Sequence, residues 1–347
     1  MRLKLHSLVL IPLAVWGADT APVPDPLADP GFQHFYNLEY DEALAAFMRD
    51  ATKDPSSPDA HNHIAQVIIF REMYRSGALE SDLVNGGANS FIRRPKLTLC
   101  AADQEQFSKA VERAVELAKA RIEKNPNDTA ASYALGVSYG MRANYDSMMR
   151  KAWLDALHNM QAARKLHNRV TELDPNFVDA QLIQGLHDYI IGSLPLGWRM
   201  MGSIAGIHGD RARGIRTLKL VSEQGRTSRV DAAMMLAAIY RREKKPGDAI
   251  AVLNRLIPLV PRNFLLRLEL AEMYGDLGDK QRAIAVLDEV DQLKRANAPG
   301  YQRLPEEKIQ TARERLLARL DSKPSRRARV EETVLSRPAT GPVVLPR

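Results

Sequence analysis

Met235-Leu236-Ala237-Ala238-Ile239-Tyr240 and Asp248-Ala249-Ile250-Ala251-Val252-Leu253 return as Glu269-Leu270-Ala271-Glu272-Met273-Tyr274 and Arg282-Ala283-Ile284-Ala285-Val286-Leu287. Ala237 and Ala271, Tyr240 and Tyr274, Ala249 and Ala283, and Leu253 and Leu287 each stand 34 residues apart. Each block carries apolar residues at i, i+3 and i+4, the spacing of one helix face. Ala237 and Ala271 fall mid-helix, where a larger side chain would keep ridges from entering grooves. Ala249 and Ala283 play that part on the second helix. A lone helix pair of this kind cannot cover its apolar face, so such pairs must stack.

Earlier stretches follow the same pattern. Tyr40-Asp41-Glu42-Ala43-Leu44-Ala45-Ala46-Phe47, running to Pro55, has the internal spacing of Lys280 to Leu287. Tyr133-Ala134-Leu135-Gly136-Val137-Ser138-Tyr139 matches the first helix of the unit. With Tyr40, Ala43, Phe47 and Pro55 in these positions, the chain resembles the tetratricopeptide repeat proteins. The resemblance runs from about Gly31 to Leu293 and implies an all-α solenoid of antiparallel helix pairs that binds protein partners.

The prolines that close repeats mark long insertions. Pro55 to Pro126 is 71 residues, Pro126 to Pro175 is 49, and Pro175 to Pro261 is 86. The excess is assigned to Ser76–Cys100, Arg142–Leu154 and Gly192–His208, each between the two helices of one repeat. They are therefore expected along one edge, partly covering the concave groove. The stretch Ser193-Leu194-Pro195 through Gly206-Ile207-His208-Gly209-Asp210-Arg211, then Gly214-Ile215, also resembles the tetratricopeptide-39 type of repeat protein. That local likeness implies no activity.

The two ends differ from the body. Arg2 and Lys4 precede the apolar run Leu8 to Trp16, too short for a permanent membrane span, which reads as a signal peptide over residues 1–17. A linker follows at 18–30, the solenoid at 31–293, a capping helix at 303–321 and a disordered basic tail at 322–347. Export to the periplasm or the medium is the corresponding expectation. Of the formal charge of +7, the first two basic residues supply +2 and residues 322–347 a net +4, leaving about +1 for the folded body. A nearly neutral body does not suit nucleic acid as a partner. The single cysteine, Cys100, excludes an internal disulfide and reads as a buried or inert thiol.

Catalytic and cofactor patterns are weak. His61 and His63 point about 200° apart on a helix and cannot share a metal as an i, i+4 pair would. His158, His167 and His187 stand singly on helices and read as surface or packing residues. No phosphate loop, nucleophile elbow or C-x-x-C occurs. The chain thus reads as a non-catalytic scaffold with no cofactor and a protein or peptide partner. Phe91, Arg93, Arg94, Tyr145, Trp198 and Arg199, all within the insertions, are the candidate contact residues, because aromatic and arginine side chains dominate interface energetics. The apolar segment Tyr189–Ile207 reads as a packed cover over neighbouring helices. The alternative is a lipid-associated protein that touches a membrane through Gly192–His208.

Overall fold

The computed structural model describes residues 25–79, 96–204 and 206–322. Every regular element among them is helical, and no strand occurs among the described residues. The helices are α1 (Pro30–Tyr36), α2 (Tyr40–Lys53), α3 (Pro58–Arg75), α4 (Ala101–Lys124), α5 (Thr129–Tyr145), α6 (Trp153–Leu173), α7 (Gln181–Gly192), α8 (Leu196–Ile204), α9 (Arg211–Gln224), α10 (Arg229–Arg242), α11 (Pro246–Leu256), α12 (Phe264–Leu277), α13 (Lys280–Arg295) and α14 (Glu306–Ser322). Apart from α8, each helix packs on its neighbours in the chain, so the fold is an all-α solenoid of six antiparallel pairs closed by α14.

Local signals set the helix boundaries. Pro30, Pro58 and Pro246 occupy first-turn positions, where a missing N–H costs nothing. Asp128, Asp210 and Asp279 accept from the backbone amides of Ala131, Arg213 and Arg282, at 2.8, 2.8 and 3.0 Å. Caps of this kind contribute about 1 kcal/mol each. Gly278 ends α12 in the left-handed region, φ +78°, which turns the chain into α13.

The small residues that set the 34-residue period lie at helix crossings. Ala237, Ala271, Ala249 and Ala283 are all buried, and so are Leu236, Leu253, Leu270 and Leu287. Tyr240 and Tyr274 are half-buried, and the Arg282 guanidinium lies 4.7 Å from the Tyr274 ring centroid. At the last crossing, a β-carbon on Gly275 would sit 2.3 Å from Leu316 Cδ1, so glycine lets α14 lie flush on α12.

The solenoid is wound tightly enough for its ends to meet. Arg262, just before α12, donates its backbone N–H to Asn37 Oδ1 at 2.8 Å, and Asn263 Nδ2 donates to the Tyr36 carbonyl at 2.8 Å. Arg303 Nη2 donates to Glu42 Oε1 at 2.6 Å. Tyr74 of α3 approaches Phe264 of α12, ring centroids 6.5 Å apart, and Tyr133 of α5 hydrogen-bonds Ser228 at the start of α10. One apolar cluster accordingly runs from Phe32 to Ile309. The inner face is occupied by the chain's own first pair, whereas the sequence alone leaves it as a groove partly covered by insertions. Two other expectations change. The Arg142–Leu154 insertion begins as helix, because α5 runs on to Tyr145 and passes into a π-helical turn, Asp146–Arg150, that Lys151 ends at φ 58°. Cys100 is exposed, where its sulfur caps α4 by accepting from the Asp103 N–H at 3.4 Å.

Candidate functional site

The first two insertions meet the body where α4, α5 and α6 converge. The Leu97 N–H donates to the Met148 carbonyl at 3.0 Å, tying the end of the first insertion to the π-helical turn of the second. Beside this tie opens a cleft of about 780 Å³. Phe107 and Tyr145 form its apolar floor, ring centroids 4.8 Å apart and nearly parallel. Glu105, Glu112, Arg142, Arg150 and His158 line its sides.

The turn itself is held by Asp146, which is buried. Its carboxylate accepts from Arg150 Nη1 at 2.6 Å and from Asn159 Nδ2 at 2.8 Å, and its backbone carbonyl accepts from the Ala152 N–H at 2.8 Å. These bonds leave its carboxylate fully partnered, and Ser108 is likewise engaged with Glu112 at 3.1 Å. The cleft therefore offers aromatic surface and exposed charges of both signs.

The third insertion stands apart. α8 carries no buried residue, and Leu196, Trp198, Met200, Met201 and Ile204 are all exposed. The packed cover expected over Tyr189–Ile207 is thus absent from Leu196 onward. Its roots are packed, however: a β-carbon on Gly192 would lie 2.3 Å from the Arg211 amide nitrogen, and one on Gly209 2.6 Å from Ile191 Cβ. Across the base, Tyr189 Oη donates to Glu243 at 3.0 Å, and Arg211 bridges the same carboxylate at 3.1 Å.

Enclosure, not ligation, shapes the buried titratable groups. His63 sits between the rings of Phe32 and Phe47, at 4.7 and 4.8 Å, and burial pushes it down to about 4. His167 is pushed down to about 4 by burial, which outweighs its contacts to the Tyr133 and Ala180 carbonyls. His187 is driven to about 4 by burial and then by the nearby Arg164 charge. In the closed inner face, burial and then the Asp179 carboxylate push Asp231 up to about 7. Tyr36 Oη lies beside Asp231 but outside good hydrogen-bond geometry.

Of the six residues singled out from the sequence, Phe91, Arg93 and Arg94 lie outside the described residues. Tyr145 lines the cleft, while Trp198 and Arg199 ride on α8. Among the described residues no hydrogen bond or ion pair joins α8 to the cleft, so the structure brings only Tyr145 to a concave site. Sequence reasoning missed Phe107, Asp146, Arg150 and Asn159. Neither Phe107 nor Asn159 carries a motif that singles it out, and Asp146 and Arg150 fall within the Arg142–Leu154 insertion.

The profile of a family described as Tetratricopeptide repeat matches residues 234–301. This span is built of tetratricopeptide repeats. It takes in both helices of the last regular tetratricopeptide pair, most of the pair before it, and the turn to Tyr301. No curated protein matches the sequence significantly. Among solved structures, a thermophilic TPR protein of Thermus thermophilus is 16% identical at a TM-score of 0.38, over 72% of this chain and 96% of that one. Yeast Tom70 is 12% identical at a TM-score of 0.25, over 90% of each chain. Overlays this loose carry nothing about shape or ligand.

Proposed function

We propose that this chain is an exported, non-catalytic scaffold that holds a peptide segment of a protein partner in the cleft between α4, α5 and α6. The observation that carries the reading is the contrast between two surfaces. The inner face is filled by Tyr36, Asn37 and Glu39 of the chain's own first repeat. The insertion edge keeps an open cleft with the Phe107–Tyr145 pair as its floor. The non-catalytic part of the reading rests on the sequence, which carries no phosphate loop, nucleophile elbow or C-x-x-C. Export rests on Arg2, Lys4 and the apolar run that follows.

The test is capture from a native envelope extract by the full chain and by a Glu105→Lys/His158→Ala variant, both residues being exposed on the cleft rim. A partner retained by the wild type and lost by the variant supports the reading. Equal capture by both removes the cleft from it. Export is checked on the same preparation, whose mature N-terminus is expected near Ala18 by mass spectrometry.

A further inference from the structure

Five of the nine large apolar side chains exposed among the described residues sit on the nine residues of α8. Leu196 is 69% exposed, Trp198 61%, Met200 60%, Met201 59% and Ile204 89%. At about 100° per residue, Leu196, Met200, Ile204, Met201 and Trp198 span an arc of about 200°, with Arg199 opposite and Ser203 bordering it beside Leu196. Such a face, concentrated on one projecting element, marks an interaction surface.

The element is also mounted to project. Gly192 and Gly209 bring the two ends of the insertion to within van der Waals contact, as the clashes of an added β-carbon show. Gly214 lets α9 meet the Tyr189 backbone directly, since a β-carbon there would lie 2.5 Å from its nitrogen. Beyond this clamp, Gly206 at φ +74° and the Ile207 N–H to Gly202 carbonyl bond, 2.8 Å, turn the chain back. Clamped roots and an unpacked tip present the apolar arc outward in a fixed place.

Charge and size choose the occupant. No aspartate or glutamate occurs from Tyr189 to Gly209, and Arg199, which makes no ion pair among the described residues, is the one arginine or lysine there. A nine-residue helix is about 14 Å long, less than half the roughly 30 Å of a bilayer core, so it cannot cross one. Five side chains of these exposures present roughly 650 Å², below the ~800 Å² per partner of a standard protein interface. A lipid surface needs no matching partner, accepts an apolar arc edged by tryptophan, and draws arginine to its phosphates.

We propose that α8 lies in the headgroup boundary of a membrane, with Leu196, Met200, Met201 and Ile204 in the acyl region, Trp198 at its margin and Arg199 among the phosphates. This second site is independent of the peptide cleft. The experiment is flotation of the purified full-length mature chain with phosphatidylcholine vesicles, with and without phosphatidylglycerol. Co-flotation is expected, stronger with phosphatidylglycerol, together with a blue shift of tryptophan fluorescence. A Leu196→Ser/Met200→Ser/Ile204→Ser variant should lose about tenfold or more of the bound fraction. Its thermal midpoint should not change, because all three side chains are exposed. Arg199→Glu should remove only the phosphatidylglycerol increment. No flotation on either vesicle, or flotation undiminished in the triple variant, overturns the proposal. So does a lipid-independent dimer that the triple variant converts to monomer, which would assign the face to a second copy.

Discussion

Arg262 grips the Glu39 carboxylate with two guanidinium nitrogens, Nε at 2.9 Å and Nη2 at 3.0 Å, across 223 residues of chain. Burial alone would raise Glu39, but hydrogen bonds from Arg262 and His34 outweigh it and hold the carboxyl below its ordinary value. Arg262→Ala should cost roughly 1.5–3 kcal/mol, the range for hydrogen bonds to a charged group, with His34 still bonded to the carboxylate. Combined with Glu39→Gln the losses should not add, because both variants open one contact. Chemical denaturation of the four proteins of this cycle checks it. Strict additivity would mean that the pair does not hold the ends together.

Gly136 of α5 meets the edge of the buried His167 ring on α6, so closely that a β-carbon would lie 2.2 Å from Cδ2. The ring is fixed between two backbone carbonyls and stacked on Tyr133, centroids 4.9 Å apart, and cannot easily give way. Gly136→Leu should therefore overpack the crossing, at a cost of about 1–3 kcal/mol. An unchanged melting temperature would contradict the α5–α6 packing.

Stability should respond to pH in two opposed ways. His63, His167 and His187 are depressed to about 4 when folded and titrate near 6.5 when unfolded. Between those values the unfolded chain binds more protons, so stability rises with pH from about 4 to 6.5 and is lost on acidification. Asp231, raised to about 7 when folded, does the reverse: the folded state holds the extra proton, and stability falls as pH rises toward 7. Asp231→Asn removes the opposing contribution. Urea midpoints measured from pH 5 to 7 should then climb more steeply in the variant than in the wild type. Parallel curves would show that Asp231 is ionised in the folded protein as it is in the unfolded one.

Legibility followed locality. Ala237, Ala249, Ala271 and Ala283 recur every 34 residues because each repeat faces the same crossing, and all four are buried there. Ring closure has no period. Asn37, Glu39, Arg262 and Asn263 are ordinary polar residues until the superhelix brings them together, so nothing in their spacing could announce the contact. Tyr145 was found because aromatic residues in insertions are conspicuous. Its neighbours Asp146 and Arg150 were not, since a π-helical turn continuing a helix leaves no Pro or Gly signature. The segment Tyr189–Ile207 reads as a packed cover because apolar runs are ordinarily buried, even though Trp198 within it is a candidate contact residue; the clamp formed by Gly192 and Gly209 reverses the cover expectation only in three dimensions.

The central claim is that the partner engages the insertion edge and not the inner face or the last regular repeats. Photo-crosslinking in the native envelope tests it most directly, with the crosslinker placed singly at the exposed positions Glu105, His158, Asn254 and Gln281. The prediction is one shared protein adduct from positions 105 and 158, and none from 254 or 281. An adduct from 254 or 281, with none from 105 and 158, would contradict it and place recognition on the uninterrupted end of the solenoid.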